Sequence, residues 1–239
     1  MRGMAAELRP CFARSREEHE AAFRLLHDAY SGAGFIVERP SGLYIPPFLV
    51  AGDGTPVLRE FRTAVVWASC AGGRQAPAMT ATLIPDDGYG LPCEEIFPAE
   101  VTGLRSYGRL VEVTSLAAEG TFDFRLAHEE LSRLVVQYAL AGGRFDGLVI
   151  VVHPQHARYY SRRLAFRSSS RVKAYDRLHT RPPGLLMRLI WREASVAEPE
   201  KARRLSFPPV ERACLDEGPD EACRRWLLAS FGAPSVEVC

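Results

Sequence analysis

The 239-residue chain has no excess of charge of either sign. Its 30 lysine and arginine residues nearly balance its 29 aspartate and glutamate residues, and the formal net charge is +1. Such a balance gives no global attraction to the phosphates of nucleic acid or to an anionic membrane surface. We therefore expect neither nucleic acid nor a membrane among its partners.

Long apolar runs are missing as well. No stretch approaches the roughly 20 apolar residues of a membrane-spanning helix. The first residues contain no apolar core of signal-peptide length. At 47% hydrophobic and 25% charged residues, the composition is that of an ordinary globular protein. These features predict a soluble, cytoplasmic protein, which we expect to be a monomer.

Cysteine motifs are also lacking. No two cysteines form a C-x-x-C pair, and no histidine pair has zinc-finger spacing. The six cysteines are Cys11, Cys70, Cys93, Cys214, Cys223 and Cys239. Because they are scattered, we expect reduced thiols and no metal site.

What the sequence does contain is the periodicity of a mixed α/β fold. Helical spacing of apolar residues predicts helices over Glu17–Tyr30, Pro98–Ser106, Phe124–Leu140 and Gln155–Leu164. Apolar and β-branched runs predict strands over Thr63–Cys70, Ala78–Pro85, Leu110–Ala117, Leu148–Val152, Arg171–Leu178 and Leu185–Trp191. The segment Glu38–Glu60, rich in proline and glycine, is predicted to be a long irregular loop.

The order of these elements predicts one parallel strand pair in an otherwise antiparallel sheet. The unit from Leu110 to Val152 runs strand, helix, strand, which requires parallel strands joined by a right-handed crossover. We expect this domain to span residues 1–193. The remainder, residues 194–239, is rich in charge and proline. It is predicted to be a peripheral extension with one short helix over Asp220–Phe231.

A candidate ligand site follows the strand Leu148–Val152. This strand is a continuous β-branched run, which is typical of strands buried on both faces. His153-Pro154 ends it and starts a helix that carries two tyrosines and three arginines. Ligands of α/β proteins bind beyond the carboxyl ends of parallel strands, so the sequence predicts ligand contacts at this boundary.

A carboxylate interrupts the neighbouring strand. Glu112 stands in the apolar run Leu110–Ala117, where a charged side chain is costly unless it is paired or used in chemistry. Carboxyl groups in such positions are candidates for proton transfer near neutral pH. A structural ion pair with Arg109 or Arg105 is the alternative, and residue type leaves both interpretations open.

Several motifs, in order and with matching spacing, resemble a known family. Residues 80–86 read T-A-T-L-I-P-D, residues 90–97 read G-L-P-x-x-x-I-F, and residues 104–117 read L-R-x-x-G-R-L-x-E-V-T-S-L-A. Residues 152–166 read V-x-P-x-H-A-x-Y-Y-x-R-x-L-x-F, and R-x-K-x-Y follows. Together these motifs resemble the N-acyl amino acid synthase (FeeM-type) family, a branch of the GNAT N-acyltransferase superfamily. The resemblance covers roughly Glu18 to Trp191.

The resemblance implies a GNAT-like fold: a mixed central sheet flanked by helices, in which two parallel strands splay apart around the pantetheine arm of an acyl donor. It also implies acyl transfer from a thioester to the amine of an amino acid. Glu112 would then remove a proton from the ammonium group, and Tyr160 would protonate the departing thiolate. A packing role on the face shared with Ala157 and Leu164 is the alternative for Tyr160.

The same resemblance assigns binding residues. Those expected to contact substrate are Val113, Thr114, Ser115, Leu116, Ala117, His153 and His156. Backbone groups of the strand residues would hydrogen-bond the pantetheine amides and stabilise the oxyanion. For the two histidines, the alternative role is to cap the following helix or to form a local hydrogen bond. Arg158, Arg162 and Arg163 would contact an acidic acyl carrier protein, or form a solvated helix face.

The loop after the first parallel strand bears on the donor. CoA-dependent members of the superfamily usually carry a Q/R-x-x-G-x-G/A loop that holds the pyrophosphate. Residues 119–125 have one glycine and lack this pattern. This agrees with the acyl carrier protein donor that the family resemblance implies. The expected co-substrate is the phosphopantetheine thioester of acyl carrier protein, with acyl-CoA as the alternative, and no tightly bound cofactor is expected.

Three functions remain open. The first is an acyl-carrier-protein-dependent N-acyl amino acid synthase that transfers a long acyl chain. The second is a CoA-dependent N-acetyltransferase acting on a small amine or a protein, and the third is a non-catalytic GNAT-like domain that binds a lipid or a carrier protein. The related acyl-homoserine-lactone synthases carry E-x-S-R-F at this strand. Ser115 stands in place of that arginine, which disfavours lactone synthesis.

Overall fold

The computed structural model describes residues 7–51, 56–176, 178–215 and 218–232. The strands in these ranges are β1 (Leu8–Phe12), β2 (Val50–Ala51), β3 (Val57–Leu58), β4 (Arg62–Ser69), β5 (Gln75–Pro85), β6 (Leu110–Ala118), β7 (Gly147–Val152), β8 (Arg167–Ser168), β9 (Lys173–Ala174) and β10 (Pro183–Ile190). The α-helices are α1 (Arg16–Gly32), α2 (Pro98–Leu104), α3 (Phe124–Val136), α4 (Ala157–Leu164), α5 (Trp191–Ala197), α6 (Pro199–Ser206), α7 (Arg212–Leu215) and α8 (Glu221–Gly232).

One large sheet organises the molecule. Its strand order is β1-β4-β5-β6-β7-β10-β8, and β9 also pairs with β10. Neighbouring strands are antiparallel except β6 and β7, which are parallel. The predicted mixed sheet with one parallel pair is therefore confirmed.

Helices cover both faces of the sheet because its central strands are apolar on both sides. Met79, Ala81 and Leu83 of β5 pack in the cluster that contains the buried residues of α3. On the opposite face, Ala117 of β6 packs against Leu25 and Leu26 of α1. This three-layer arrangement places the central strands of the sheet between two layers of helices.

The first helix, predicted from Glu17, begins one residue earlier, at Arg16, and Ser15 caps it. The Ser15 hydroxyl accepts a hydrogen bond from the Glu18 N–H (3.3 Å), and the Ser15 N–H donates to the Glu18 carboxylate (3.2 Å). This reciprocal capping box satisfies N–H groups that have no partner within the helix.

The amino-terminal ends of the parallel strands are tied together. The Arg109 N–H donates to the Asp146 carboxylate (2.8 Å), and the Asp146 N–H donates to the Arg109 carbonyl (2.7 Å). Gly108 precedes them with a φ of 122°, a conformation that glycine adopts at little cost. A Cβ there would also collide with the Asp146 carboxylate. β6 and β7 are thus held at one end, which leaves the other end to separate.

Several elements differ from the sequence prediction. β1 was not expected, and the irregular segment Glu38–Glu60 contains the short β2–β3 pair. The predicted strand Arg171–Leu178 is reduced to the two residues of β9, and Arg177 lies outside the described residues. The helix predicted over Phe124–Leu140 is α3 followed by a π-turn, Gln137–Ala141.

The carboxyl-terminal extension is more ordered than expected. It contains the predicted helix, here α8, and also α6, α7 and most of α5, which were not predicted. Ala202 and Leu205 of α6 are buried, because the apolar side of this basic helix packs on α3 and α4. The boundary expected at residue 193 falls inside α5, and the division into two parts stays a prediction. Among the described residues, no helix has the length and apolarity to cross a bilayer.

Candidate active site

The two parallel strands separate halfway along their length. β6 and β7 pair at Leu110–Gly147, Val111–Leu148 and Glu112–Val149, and the register ends there. β6 nevertheless runs on to Ala118, and β7 to Val152. The remaining halves form a wedge-shaped split whose exposed edge groups have no strand partner, and a bound chain is able to use these groups.

A β-bulge in β6 lies at this split. Thr82 of β5 pairs with Thr114, but Thr80 pairs with Ala117, so Ser115 and Leu116 together lie opposite Ala81. Ser115 has a φ of 54°, which costs a non-glycine residue about 1–2 kcal/mol. Backbone strain of this kind is concentrated at functional sites. Here the bulge follows shortly after the last residues of β6 that pair with β7.

A cavity of about 370 Å³ opens from the split toward α3 and α4. We call it the inner cavity. Its apolar lining comes from Leu131, Val135, Val136, Leu148, Ile150, Leu164 and Phe166, and its polar lining includes Ser115, His128, Ser132, His153, His156 and Tyr160. A volume of this size is within the range of small-molecule sites, about 300–1,000 Å³.

A second cavity of about 370 Å³ lies on the α1 face of the sheet. This outer cavity is lined by Tyr30, Tyr44, Pro47, Phe48, Glu95, Thr114, Ser115, Tyr175 and Leu178. Five of these residues also line the inner cavity, Thr114 and Ser115 among them. The two cavities therefore meet at the bulge of β6.

A buried histidine joins three hydroxyl groups beside the inner cavity. Nε2 of His128 lies 3.3 Å from the Tyr160 hydroxyl, and Nδ1 lies 3.2 Å from the hydroxyls of both Tyr159 and Ser132. His128 is 3% exposed, and burial lowers its pKa from 6.5 to about 4. Burial also raises the pKa of the Tyr160 phenol. Both groups are therefore neutral at pH 7.

Sequence reasoning missed His128, although one signal was present. The helix α3 places His128 on the apolar stripe of Leu131 and Val135, where a polar side chain needs a partner. Its partners Tyr159 and Tyr160 come from α4, more than 30 residues away. The stripe indicates burial of the histidine, but only the fold brings the tyrosines to it.

Glu112 is fully buried on the face of the sheet opposite α3. Its Oε2 accepts a hydrogen bond from the Cys93 N–H (2.7 Å), and burial together with the nearby Glu112 charge raises the pKa of the Cys93 thiol. The arginines considered as its partners bind elsewhere: Arg105 pairs with Asp86 and Glu94, and Arg109 lies 3.8 Å from Asp146. Glu112 does not line either cavity. It lies two residues before Thr114 on the same strand face.

Comparison with known proteins decides the family. A sequence profile of the N-acyl amino acid synthase FeeM matches residues 21–189. The chain belongs to this family. A search of curated protein sequences finds no significant match.

Solved structures place the FeeM-family chain in the GNAT fold. The structure of FeeM, an N-acyl amino acid synthase from uncultured soil microbes, has a TM-score of 0.61 and 23% identity, and the alignment covers 78% of this chain and 92% of that one. TofI, solved in a ternary complex with an inhibitor and MTA, has a TM-score of 0.56 and 12% identity, with coverage of 86% and 98%. The CoA-dependent acyl-homoserine lactone synthase BjaI, solved with SAM and isopentyl-CoA, has a TM-score of 0.52 and 10% identity, with coverage of 95% and 100%.

The family resemblance placed substrate contacts on β6, and most of these residues reach the split. Val113, Thr114, Ser115 and Leu116 line the inner cavity. Ala117 does not, because its side chain packs against α1. Four consecutive residues are therefore positioned for an acyl donor, and their binding role stays a prediction.

The two histidines after β7 lie at the exposed end of the inner cavity of this FeeM-family protein. Nδ1 of His153 accepts a hydrogen bond from the Gln155 N–H (3.3 Å) and so caps the turn that leads into α4. The His156 ring lies 6.1 Å from the His153 ring. His153 thus has the capping role considered from the sequence, and both residues remain predicted substrate contacts.

Tyr160 faces the inner cavity, whereas the arginines of α4 do not. Arg158, Arg162 and Arg163 are exposed. Arg162 and Arg163 line a surface groove shared with α6. Their contact with a carrier protein stays a prediction. Within the described residues, no three His, Cys, Asp or Glu side chains form a cluster that suits a metal ion.

Proposed function

We propose that this FeeM-family protein transfers a long acyl group from the phosphopantetheine thioester of an acyl carrier protein to the amine of an amino acid. The observation that carries the proposal is the meeting of two cavities at Thr114 and Ser115, where the parallel strands separate. A donor in one cavity and an acceptor in the other are brought together at this point.

The donor occupies the split and the inner cavity. Beyond Glu112, the edge of β6 that faces β7 offers backbone N–H and C=O groups to the pantetheine amides, much as it would to an added strand. The acyl chain extends among the apolar side chains of α3, α4 and β7. Each methylene buried there contributes about 0.8 kcal/mol, which favours long chains.

The loop before α3 supports a donor without a nucleotide. The Asp123 carboxylate accepts hydrogen bonds from the N–H groups of Arg125 (2.9 Å) and Leu126 (3.2 Å). Glu119 accepts one from the Thr121 N–H (2.8 Å). The N–H groups that would bind a pyrophosphate at this helix terminus are thus satisfied by acidic side chains, which also repel it.

The acceptor occupies the outer cavity. Tyr30, Tyr44, Phe48 and Tyr175 give it an aromatic lining, and Glu95 places an acidic group at its exposed edge. A carboxylate in this position attracts the ammonium group of an amino acid. The amine then reaches the thioester carbon where the cavities join.

Proton transfer accompanies the exchange of bonds. The ammonium group loses one proton to Glu112 through a water, and the neutral amine forms the new C–N bond. As the C–S bond breaks, the nitrogen releases its second proton, which restores the Tyr160 phenol after that phenol has protonated the thiolate. The departing thiolate takes the phenolic proton of Tyr160. In this proposal Nε2 of His128 carries the proton and donates to the Tyr160 oxygen (3.3 Å), while Nδ1 accepts from the hydroxyl of Tyr159 or of Ser132 (3.2 Å each). This tautomer leaves the Tyr160 O–H directed at the thiolate and stabilises the phenolate that forms.

The donor assay tests the proposal. The protein is incubated with mixed amino acids and, separately, with long-chain acyl carrier protein, long-chain acyl-CoA or acetyl-CoA, and the products are identified by mass spectrometry. We expect long-chain N-acyl amino acids from the carrier protein. Products from acetyl-CoA alone would overturn the proposal in favour of an N-acetyltransferase, and a bound acyl chain without transfer from any donor would indicate a binding domain.

Two conservative variants test the proton-transfer roles. Glu112→Gln keeps the size of the side chain and an acceptor for the Cys93 N–H, so we expect an intact fold with turnover lowered about a hundredfold. Tyr160→Phe should lower kcat and have a much smaller effect on KM, because the substitution removes a group that acts only as the thiolate leaves. Unchanged turnover would remove the substituted residue from the mechanism.

A further inference from the structure

Positive charge is concentrated on two neighbouring helices outside the cavities. α4 carries Arg158, Arg162 and Arg163 without an acidic residue and contributes +3. α6 carries Lys201, Arg203 and Arg204 against Glu200 and contributes +2. Because the whole chain has a net charge of +1, the rest of the molecule is net negative. The two helices thus form a distinct basic surface.

The two helices are joined by specific contacts. The Lys201 Nζ donates to the Ser161 carbonyl (3.1 Å), and the Arg204 guanidinium donates to the Arg163 carbonyl. Between them runs a groove of about 760 Å³, which we call the α4–α6 groove. It is lined by Arg162, Arg163, Glu200, Lys201, Arg203, Arg204 and Phe207.

Much of the charge in this groove is available to a partner. Within the described residues, Arg162, Arg163 and Arg203 form no ion pair. Lys201 and Arg204 lie 3.0 Å and 3.8 Å from acidic side chains. Phe207, at the end of the groove, is 65% exposed. Exposed guanidinium groups around an apolar side chain suit an acidic protein surface.

The groove is separated from the inner cavity by a single helix. Tyr160 and Leu164 of α4 line the cavity, while Arg162 and Arg163 line the groove. A smaller pocket lined in part by Tyr159, Arg163 and Arg204 continues the groove toward α3. A partner in the groove therefore lies directly behind the wall of the acyl-donor cavity.

We propose that α6 completes the docking surface for the acyl carrier protein, whose acidic face would occupy the α4–α6 groove. This inference rests on the proposed function. It assigns a role to a helix beyond residues 21–189, the part of the chain matched by the family profile. Charge complementarity of this kind speeds encounter and selects the partner.

The test compares a carrier-borne donor with a small one. The same acyl group is presented on acyl carrier protein and on free pantetheine to the wild type, to Arg203→Glu and to the control Arg74→Glu. Arg74 is exposed, lies just before β5 and is not among the residues that line the α4–α6 groove. We expect Arg203→Glu to raise KM for the carrier-borne donor about tenfold, and the wild-type KM to rise with salt. Transfer from acyl-pantetheine and the kinetics of Arg74→Glu should change less than twofold.

Three outcomes would overturn the inference. The first is an Arg203→Glu variant whose KM for the carrier-borne donor is unchanged. The second is an equal loss with both donors, which would indicate a structural effect. The third is binding of anionic vesicles or RNA, but not of carrier protein, by the wild type. If the wild type transfers acyl groups from neither donor, the proposed function fails, and this inference fails with it.

Discussion

Filling the inner cavity should shorten the acyl chain that the enzyme accepts. Val135 of α3 is 4% exposed and lines the cavity beside Leu131 and Ile150. In Val135→Phe, the ring occupies space that the proposed mechanism gives to the far end of a long acyl chain. The substitution is remote from Thr114 and Ser115 in sequence and leaves the reacting groups unchanged.

The magnitude follows from the carbon atoms displaced. Phenylalanine adds roughly four methylene-sized carbons to the valine side chain, and each buried methylene of the acyl chain is worth about 0.8 kcal/mol. The longest chains should therefore lose about 3 kcal/mol of binding, or about two hundredfold in kcat/KM. Acyl chains too short to reach Val135 should lose no binding free energy and should keep the wild-type kcat/KM.

The assay measures kcat/KM with acyl carrier proteins whose chains lengthen in steps. Val196→Phe is the matched control, because Val196 is 82% exposed and the same atoms are added to the surface. Thermal denaturation of both variants monitors the fold, since overpacking of a filled core would cost about 1–3 kcal/mol. An equal loss at every chain length, or no loss at any, would refute the assignment of the cavity to the acyl chain.

Two further predictions concern stability. Ser115→Gly should be at least as stable as the wild type, because glycine avoids the roughly 1–2 kcal/mol that a positive φ costs other residues. Ser115→Val should be less stable than the wild type, because a β-branched residue is a steric outlier at positive φ. Urea denaturation measures both, and a Gly variant less stable than the Val variant would contradict the account of the bulge. His128 has a pKa of 6.5 in the unfolded chain and about 4 in the native state, so the native state binds fewer protons and stability falls as the pH drops through this window. Between pH 7 and pH 5, His128 should lower the free energy of unfolding of the wild type by about 2 kcal/mol. In His128→Gln, urea denaturation should show a decrease over the same pH range that is smaller by this amount. An unchanged pH dependence would contradict the buried neutral histidine.

The sequence predicted those parts of the fold that depend on local order. The parallel pair follows from the strand–helix–strand order of Leu110 to Val152, and the start of α1 follows from Ser15 and Glu18. β1 was not predicted because Pro10 interrupts its strand pattern. As an edge strand, β1 tolerates the missing N–H of a proline. The helix α6 was not predicted because it has few apolar residues, Ala202 and Leu205, from which a helical spacing could be recognised. Their burial depends on contacts with α3 and α4.

The candidate site was only partly visible for a related reason. The motif around Glu112 and Ser115 points to β6, but the split depends on where pairing with β7 ends, and the bulge depends on the register with β5. Likewise, His128 is unremarkable until α4 brings Tyr159 and Tyr160 to it. Residues that act through contacts between distant segments require the three-dimensional structure.

The central claim is that an acyl donor lies in the split between β6 and β7. A crystal structure with a stable thioether analogue of long-chain acyl-pantetheine tests it most directly. We predict that the pantetheine amides bind backbone groups of residues 113–116, with the acyl chain between α3 and β7 and the sulfur near the Tyr160 hydroxyl. A pantetheine arm bound outside the split, with the inner cavity empty, would contradict the account.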